Sequence, residues 1–404
     1  MVTRDAASPT PETADLLEAT ARITRRFGED PEYSRAGGGN SSVKVGGTLY
    51  IKPSGVSLAS ITARTLMPLA ISPLLELAAH GSEEAAAPGG DPVMRVAMAA
   101  RVRDEGDRRP SVECVFHALI PRRFVVHTHP TTVNALTCAT DGEAIARDLF
   151  GDSVVWVPYT DPGLPLAREI DHRRRSGPEV GRAGTTEVTL LQNHGLIVAG
   201  DDPAAVIERS ERVVGMIREL LARRSAPPGF GAVVSAPQPD PALVKRLSHV
   251  LAMRLGDAAA PADVVFDASP EALRLAGTAE GRAIVDAGPL TPDQAVYAGS
   301  WPLWLDVDPV ADWAALDRAI SAGLTAHAAM RRPRPVVVVV AGVGLFASGP
   351  TPRRAETARE LYVDAIRVGF GALALGGFRA LAPAERAFIE TWEAEVYRLS
   401  IDAG

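Results

Sequence analysis

The chain has 404 residues, a formal net charge of −7 and 46% hydrophobic residues. This length and composition fit two or three packed domains, and no Lys/Arg cluster interleaved with aromatic residues indicates a nucleic-acid surface. The longest apolar run, 336–341, is far shorter than the roughly 20 residues that span a bilayer, and the N-terminus lacks an apolar signal-peptide core. We therefore expect a cytoplasmic protein with a small-molecule partner and no membrane segment.

Cys114 and Cys138 lack CxxC spacing and are expected to be reduced packing residues.

The first half of the chain predicts an α/β unit. Apolar residues at helical spacing over 13–27 predict an opening helix, and Ser42–Lys52 fits two short strands around a Gly-Gly turn. Further segments with regular patterns follow. They predict helices near 66–80 and 93–104, strands at 124–127, 153–157 and 187–192, and a closing helix at about 203–224.

The Pro/Gly-rich segment 225–241 is the clearest linker. It divides the chain into a first domain, 1–224, and a second domain, 242–404. The second domain also alternates helices and strands, so the whole chain is predicted to be α/β. Its predicted elements are helix 242–255, strand 264–266, a mixed region to about 330, strand 336–340 and helices 353–374 and 383–399.

An internal repeat appears when 192–220 is laid over 341–369 without gaps. Eight residues then recur at an offset of 149 positions. They are Gly195, Leu196, Gly200, Pro203, Glu211, Val214, Ile217 and Arg218, matched by Gly344, Leu345, Gly349, Pro352, Glu360, Val363, Ile366 and Arg367. The alternative explanation is that any strand–turn–helix unit has Gly and Pro at its turns. If the repeat is a duplication it is degenerate, because Val343 stands where the first copy has His194, and we expect no metal in the second copy.

The stretch VVHTHP carries two of the eight histidines, at positions 127 and 129. Residues i and i+2 of a strand point to the same face, so both imidazoles can reach one point. A chance surface pair is the alternative, but a third imidazole, His194, follows another apolar strand and precedes Gly195. Three histidines at strand ends match the His₃ sites of catalytic zinc, which keep one coordination position open. Zinc, or another divalent metal, is the predicted cofactor.

Two further motifs suggest catalytic and binding groups. Glu113, in Pro-Ser-Val-Glu ahead of a probable helix, could act as a base beside a metal, although a helix N-terminal acid stabilised by the dipole is the alternative. The Gly-rich stretch that ends in Asn40 and Ser41, with Lys-Pro-Ser-Gly at 52–55, offers backbone N–H groups and short donors that suit a phosphate. A flexible hairpin loop would have the same composition.

Taken in order, GGGNSSVK, KPSG, PSVE, HTHP and QNHGL resemble the class II aldolase/adducin family over roughly residues 14–224. The whole chain is most similar to the aldolase portion of bifunctional rhamnulose-phosphate aldolase/alcohol dehydrogenases, without their dehydrogenase domain. The resemblance implies a three-layer α/β/α class II aldolase-like domain followed by a second α/β domain. It also implies a homo-oligomer, since some members supply a tyrosine acid from a neighbouring subunit.

The resemblance also implies roles for individual residues. The zinc ligands would be His127, His129 and His194, the acid/base Glu113, and the phosphate-binding residues Asn40, Ser54, Gly55 and Ser111. Val112 departs from the family pattern, because it replaces a second Ser and removes one phosphate donor. Tyr159 is the nearest candidate for the tyrosine acid.

The implied reaction is cleavage or formation of a ketose 1-phosphate, giving dihydroxyacetone phosphate and an aldehyde through a metal-stabilised enediolate. Epimerases, dehydratases and decarboxylases share this scaffold, so they remain alternatives. Glu at position 113 favours an aldolase or dehydratase, because related pentose-phosphate epimerases carry Asp there. A noncatalytic adducin-like binding module is a further alternative, which the three histidines and Glu113 disfavour.

Overall fold

The computed structural model describes residues 10–81, 91–176, 187–224, 238–257, 260–395 and 397. Within them the chain forms two compact units. The first contains the residues up to Thr137, then Asp141–Glu219 and the stretch from Thr391, and the second contains Cys138–Thr140 and Leu220–Glu390. Among the helices of these ranges, none is both long and apolar enough to cross a membrane.

The first half of the chain builds one mixed sheet with helices on its faces. Its helices are α1 (Pro11–Gly28), α2 (Ile71–His80), α3 (Pro92–Ala99), α4 (Cys114–Leu119), α5 (Thr131–Thr137), α6 (Gly142–Phe150), α7 (Leu164–Ser176) and α8 (Pro203–Arg224). Its strands are β1 (Asn40–Val45), β2 (Thr48–Ile51), β3 (Met67–Ala70), β4 (Phe124–Thr128), β5 (Val154–Val157), β6 (Val188–Leu191) and β7 (Gly195–Gly200). The strand order is β3-β2-β1-β4-β7-β6-β5.

Most predicted elements are present, and two local predictions were wrong. Residues 67–70 were predicted helical but form β3, which pairs antiparallel with β2. This non-local pairing overrides the local pattern, and β3 tolerates Pro68 because it is an edge strand. Residues 195–200, for which the sequence predicted no element, form a second strand, β7, so β6 and β7 form an antiparallel hairpin. Helix α3 ends at Ala99, before the predicted end at 104.

The two faces of the first sheet are covered by different helices. One face carries a hydrophobic core that includes Val125 and Ile197 and residues of α2, α3, α4 and α7. Helix α1 lies on the opposite face, where Thr24 Oγ1 is 2.6 Å from Ser41 Oγ. The first unit is therefore a three-layer α/β/α arrangement, as the sequence predicted.

The second unit is a smaller α/β/α arrangement. Its helices are α9 (Pro241–Leu255), α10 (Pro270–Gly277), α11 (Ala279–Ala287), α12 (Trp313–Ala329), α13 (Pro352–Ala374) and α14 (Pro383–Thr391), and its strands are β8 (Asp263–Asp267), β9 (Leu303–Leu305), β10 (Val337–Val340) and β11 (Gly344–Gly349). The four strands are ordered β8-β11-β10-β9. Separate hydrophobic cores cover the two sides of this sheet, one with α9 and α12 and one with α10, α11 and α13.

Two sequence predictions fall partly outside the described ranges. Residues 225–237 of the predicted linker lie there, and α9 begins at Pro241. The helix predicted over 383–399 is observed as α14, which ends at Thr391, while residues 398 and 399 lie outside.

The two sheets share a four-strand arrangement. In both β4-β7-β6-β5 and β8-β11-β10-β9, the first two pairings are antiparallel and the third is parallel. The hairpin β10–β11 begins 149 residues after β6–β7, at 337 against 188, and its Cα register is the same pair for pair. In the first sheet His127 lies opposite Ile197, whereas in the second Phe266 lies opposite Phe346. The second unit thus carries Phe266 and Val343 at the positions equivalent to His127 and His194.

Candidate metal centre

Strand β4 delivers the first two histidines of the site. His127 is fully buried, and its Nδ1 lies 3.0 Å from the carbonyl oxygen of Leu196 on the neighbouring β7. A carbonyl can only accept, so Nδ1 carries the proton and Nε2 keeps its lone pair. His129 follows the end of β4, and its backbone N–H donates to Tyr33 O at 3.0 Å.

The third histidine comes from the β6–β7 hairpin. Asn193 adopts a left-handed conformation with φ 56°, a geometry that Asn tolerates better than most residues. The backbone N–H of His194 then donates to Leu191 O at 3.1 Å. Gly195 is required by space, because a Cβ there would lie 2.4 Å from Thr128 O and 2.9 Å from His129 Cδ2. This close approach brings the hairpin turn against the end of β4.

The three imidazoles converge on one point. One ring nitrogen from each of His127, His129 and His194 lies within 4.8 Å of the others. The Nε2 atoms of His127 and His129 are 3.0 Å apart, close to the roughly 3.3 Å expected for two nitrogens on one tetrahedral zinc ion. His127 and His194 are buried, whereas His129 is partly exposed. The chemistry and spacing of these donors therefore fit a divalent transition metal.

Glu113 lies beside this group. It occupies the N-cap position of α4, but its side chain makes no capping hydrogen bond. Its carboxylate oxygens lie 3.6 Å from His127 Nε2 and 3.7 Å from His194 Nε2. Burial raises the pKa of Glu113, but His127, His194, the amide of Asn40 and His129 outweigh it and lower the pKa to about 2. A buried, ionised carboxylate thus faces the nitrogens, and the helix-capping alternative does not hold.

Asn40 connects Glu113 to β1. It lies directly opposite His127 in the β1–β4 register, so both side chains project from the same face. Its Nδ2 donates to Glu113 Oε2 and to Ser111 Oγ, the latter at 3.2 Å. Its Oδ1 contacts Nε2 of His117, whose Nδ1 lies 2.7 Å from Ser42 Oγ. His117 was not among the predicted site residues, although its spacing of four from Glu113 places both on one side of a helix.

The two loops predicted to bind phosphate, the Gly-rich stretch before Asn40 and Lys-Pro-Ser-Gly at 52–55, lie near the histidines and Ser111. Gly39 has φ 73°, and a Cβ there would lie 2.7 Å from His127 O. The backbone N–H of Ser54 donates to Arg109 O at 2.9 Å, and Pro53 and Pro110 form an isolated bridge. The Lys-Pro-Ser-Gly segment is therefore held against the segment that carries Ser111.

Lys52 joins the two glycine-containing loops. Its side chain is buried, and Nζ donates to Val56 O at 2.6 Å and to Gly37 O at 3.3 Å. No role was predicted for Lys52 from the sequence. A buried ammonium that bridges both loops fixes their relative position.

Ser41, one of the predicted phosphate-binding residues, lies on the other face of β1. Ser41 was predicted to line the phosphate site, but it is fully buried and its hydroxyl contacts Thr24 of α1. Neighbouring strand residues face opposite sides, so Ser41 points away from the face of Asn40, and that prediction is corrected.

Tyr159 follows β5, and its backbone N–H donates to Gln192 Oε1 at 3.0 Å. This bond ties the loop of Tyr159 to the segment just before His194.

Two family models match the chain. They are the Class II Aldolase and Adducin N-terminal domain, over residues 18–221, and the Aldolase class II second domain, over residues 240–399. The chain therefore belongs to the class II aldolase and adducin family.

Individual relatives give the extent of the similarity. The chain is 25% identical to the uncharacterized oxidoreductase YuxG of Bacillus subtilis over 406 residues, or 93% of this chain and 57% of that protein. It is 29% identical to the 3-oxo-tetronate 4-phosphate decarboxylase of Haemophilus influenzae over 122 residues, or 27% of this chain and 54% of that protein. The chain thus spans little more than half the length of these curated relatives.

One solved structure also matches part of the chain. The N-terminal class II aldolase domain of a conserved protein from Thermoplasma acidophilum is 25% identical. The match covers 55% of this chain and 99% of that domain, with a TM-score of 0.44.

Proposed function

We propose that the protein is a zinc-dependent aldolase that cleaves or forms a ketose 1-phosphate, with dihydroxyacetone phosphate and an aldehyde as the other partners. The observation that carries the proposal is the carboxylate of Glu113, buried within 4 Å of two of three convergent imidazole nitrogens. His127, His129 and His194 would hold the metal through Nε2. A bound divalent cation supplies a Lewis acid that stabilises the enediolate left by carbon–carbon cleavage.

Glu113 moves the proton in this proposal. Its carboxylate is buried beside the imidazoles of His127 and His194, where it is placed to accept a proton from a carbon acid bound there. Asn40 donates to the carboxylate through Nδ2 and holds it toward the imidazoles. Proton transfer thus takes place on a face closed by β1, β4 and α4.

The phosphate would be bound by the loops next to Asn40. Ser54, Gly55 and Ser111 offer hydroxyl and backbone N–H groups on two segments that are hydrogen-bonded to each other. Such donors suit an anion without requiring a basic side chain. The related Haemophilus decarboxylase is named for a phosphorylated substrate, which supports a phosphate ester here.

The remaining roles follow from the family resemblance. Tyr159 is the proposed general acid, and a homo-oligomer is the proposed assembly, because some members complete the site with a neighbouring subunit's tyrosine. We assign the chemistry to a domain at 1–224, followed by a linker at 225–241. The domain at 242–404 is proposed to be a degenerate copy without a metal, since Phe266 and Val343 replace two ligand positions.

Metal analysis tests the proposed ligands. Purified protein should contain about one divalent ion per chain, and His127→Ala or His194→Ala should remove it, because two imidazoles hold zinc poorly. His172→Ala is the matched control, since His172 lies on α7 and contacts Ser176 rather than the site. Full occupancy in both site variants would contradict the assignment.

A decarboxylase is the second candidate, favoured by the match to the Haemophilus enzyme. Both reactions can leave an enediolate, so the assay must separate the fragments that are released. Incubation of the metal-loaded protein with dihydroxyacetone phosphate and a panel of aldehydes should give condensation products. Carbon dioxide release from a 3-oxo acid phosphate, without any condensation product, would favour the decarboxylase.

A further inference from the structure

We propose that His117 is a positioning residue that holds the side-chain amide of Asn40 in the orientation that donates to Glu113. This inference rests on the proposed function of Glu113. His117 is fully buried on α4 and reaches Asn40 on β1, so it links the helix that begins after Glu113 to the strand opposite His127.

The orientation of each group follows from the carboxylate outward. The Asn40 atom that faces the Glu113 carboxylate is Nδ2, and it donates to Oε2. The Oδ1 of Asn40 then faces His117 Nε2, which must carry the proton. The other nitrogen, Nδ1, is left as an acceptor for the hydroxyl of Ser42 at 2.7 Å. The four side chains therefore have one consistent arrangement of protons.

Burial supports a neutral ring. Burial is the main cause that lowers the pKa of His117 well below its usual range, and the charge of Lys44 adds to it, while Glu113 opposes it. A neutral imidazole has one donor and one acceptor, which matches the two neighbours of His117. The Asn40 side chain alone does not fix which of Oδ1 and Nδ2 faces Glu113, because the two atoms are almost the same size. Without His117, the amide could turn its oxygen toward the carboxylate.

The proton arrangement can be measured without substrate. Long-range ¹H–¹⁵N correlation spectra of the zinc-loaded protein report which ring nitrogen of each histidine carries the proton. We expect His117 to be neutral and protonated on Nε2. A ring protonated on Nδ1, or on both nitrogens, would overturn the proposal, and this measurement requires no variant to fold.

The functional effect is tested with a conservative and a nonconservative variant. His117→Leu should lower kcat for solvent exchange of the dihydroxyacetone phosphate α-proton about tenfold or more, the usual effect of losing an outer hydrogen-bond partner. Its KM and metal content should stay near wild type. His117→Gln, whose amide can donate to Asn40, should recover most of the loss. Val115→Ala removes core packing from the same helix without touching Asn40 and should leave kcat unchanged.

Three outcomes would contradict the positioning role. They are equal kcat in the Leu and Gln variants, an equal loss in Val115→Ala, and a Leu variant with wild-type kcat. If wild-type protein exchanges no proton, the proposed function fails, while the tautomer of His117 still decides this inference.

Discussion

Glu113→Gln is the substitution that separates proton transfer from metal binding. It keeps the shape of the side chain and removes the charge that lies 3.6 Å from His127 Nε2 and 3.7 Å from His194 Nε2. A unit charge at about 4 Å from a cation contributes roughly 4 kcal/mol at an effective dielectric constant near 20. Much of this is offset by the cost of burying the carboxylate. We therefore expect metal binding to weaken by roughly 10–100-fold and to remain saturable.

The catalytic loss should be larger than the loss of metal affinity. With saturating zinc, kcat for carbon–carbon cleavage should fall by about 10²–10⁴-fold, the usual contribution of a positioned acid–base group. Rates are measured by quenched product assay, normalised to bound zinc, with Glu143→Gln on the exposed surface of α6 as the control. A zinc-loaded variant with kcat within about threefold of wild type would refute the base role. Failure to bind zinc at any concentration would make Glu113 a ligand instead.

Three further predictions follow from local geometry. Gly195→Ala should reduce metal occupancy, because the new Cβ would lie 2.4 Å from Thr128 O. Gly215→Ala on α8 is the control, because a Cβ there would have no atom within 4 Å. This control should retain the metal and raise the free energy of unfolding by about 0.5–1 kcal/mol. Burial, helped by Arg174, lowers the pKa of Lys44 to about 7, below its unfolded value. Its charge therefore destabilises the fold fully below about pH 7 and not above about pH 10.5. In urea titrations, the free energy of unfolding of the wild type should rise by about 3 kcal/mol relative to Lys44→Met between about pH 6.5 and 9.5; a constant difference would contradict this. Ser54→Ala should raise KM for a phosphorylated substrate about 10-fold or more with little change in kcat, as expected for one lost hydrogen bond to a charged group; an unchanged KM would remove Ser54 from the phosphate site.

The shared direction of His127 and His129 could be predicted because it depends on a local pattern. A His-x-His pair at a strand end fixes two side chains on one face, whatever the rest of the fold. His194 followed by Gly195 indicated a tight turn, although the sequence did not show that the turn leads into β7. The same alternation could have corrected Ser41, since Asn40 and Ser41 cannot both face the site from one strand.

The remaining features depend on contacts between distant segments. Met67–Ala70 is a strand only because β2 pairs with it, and its local pattern favoured a helix. His117 lies 75 residues from Ser42 and 77 from Asn40 in the chain, so no spacing rule connects them. The repeat was visible as an offset in the sequence. The matching strand order and Cα register of the two sheets could not be seen in the sequence.

Solvent exchange of the α-proton of dihydroxyacetone phosphate tests the central claim most directly, because it reports carbon deprotonation without the correct aldehyde. The account predicts that zinc-loaded protein in deuterium oxide incorporates deuterium at this carbon. Chelation should abolish the exchange, added zinc should restore it, and Glu113→Gln should lower it in parallel with cleavage. Protein that holds about one zinc ion per chain and still catalyses no exchange would contradict the assignment as an aldolase.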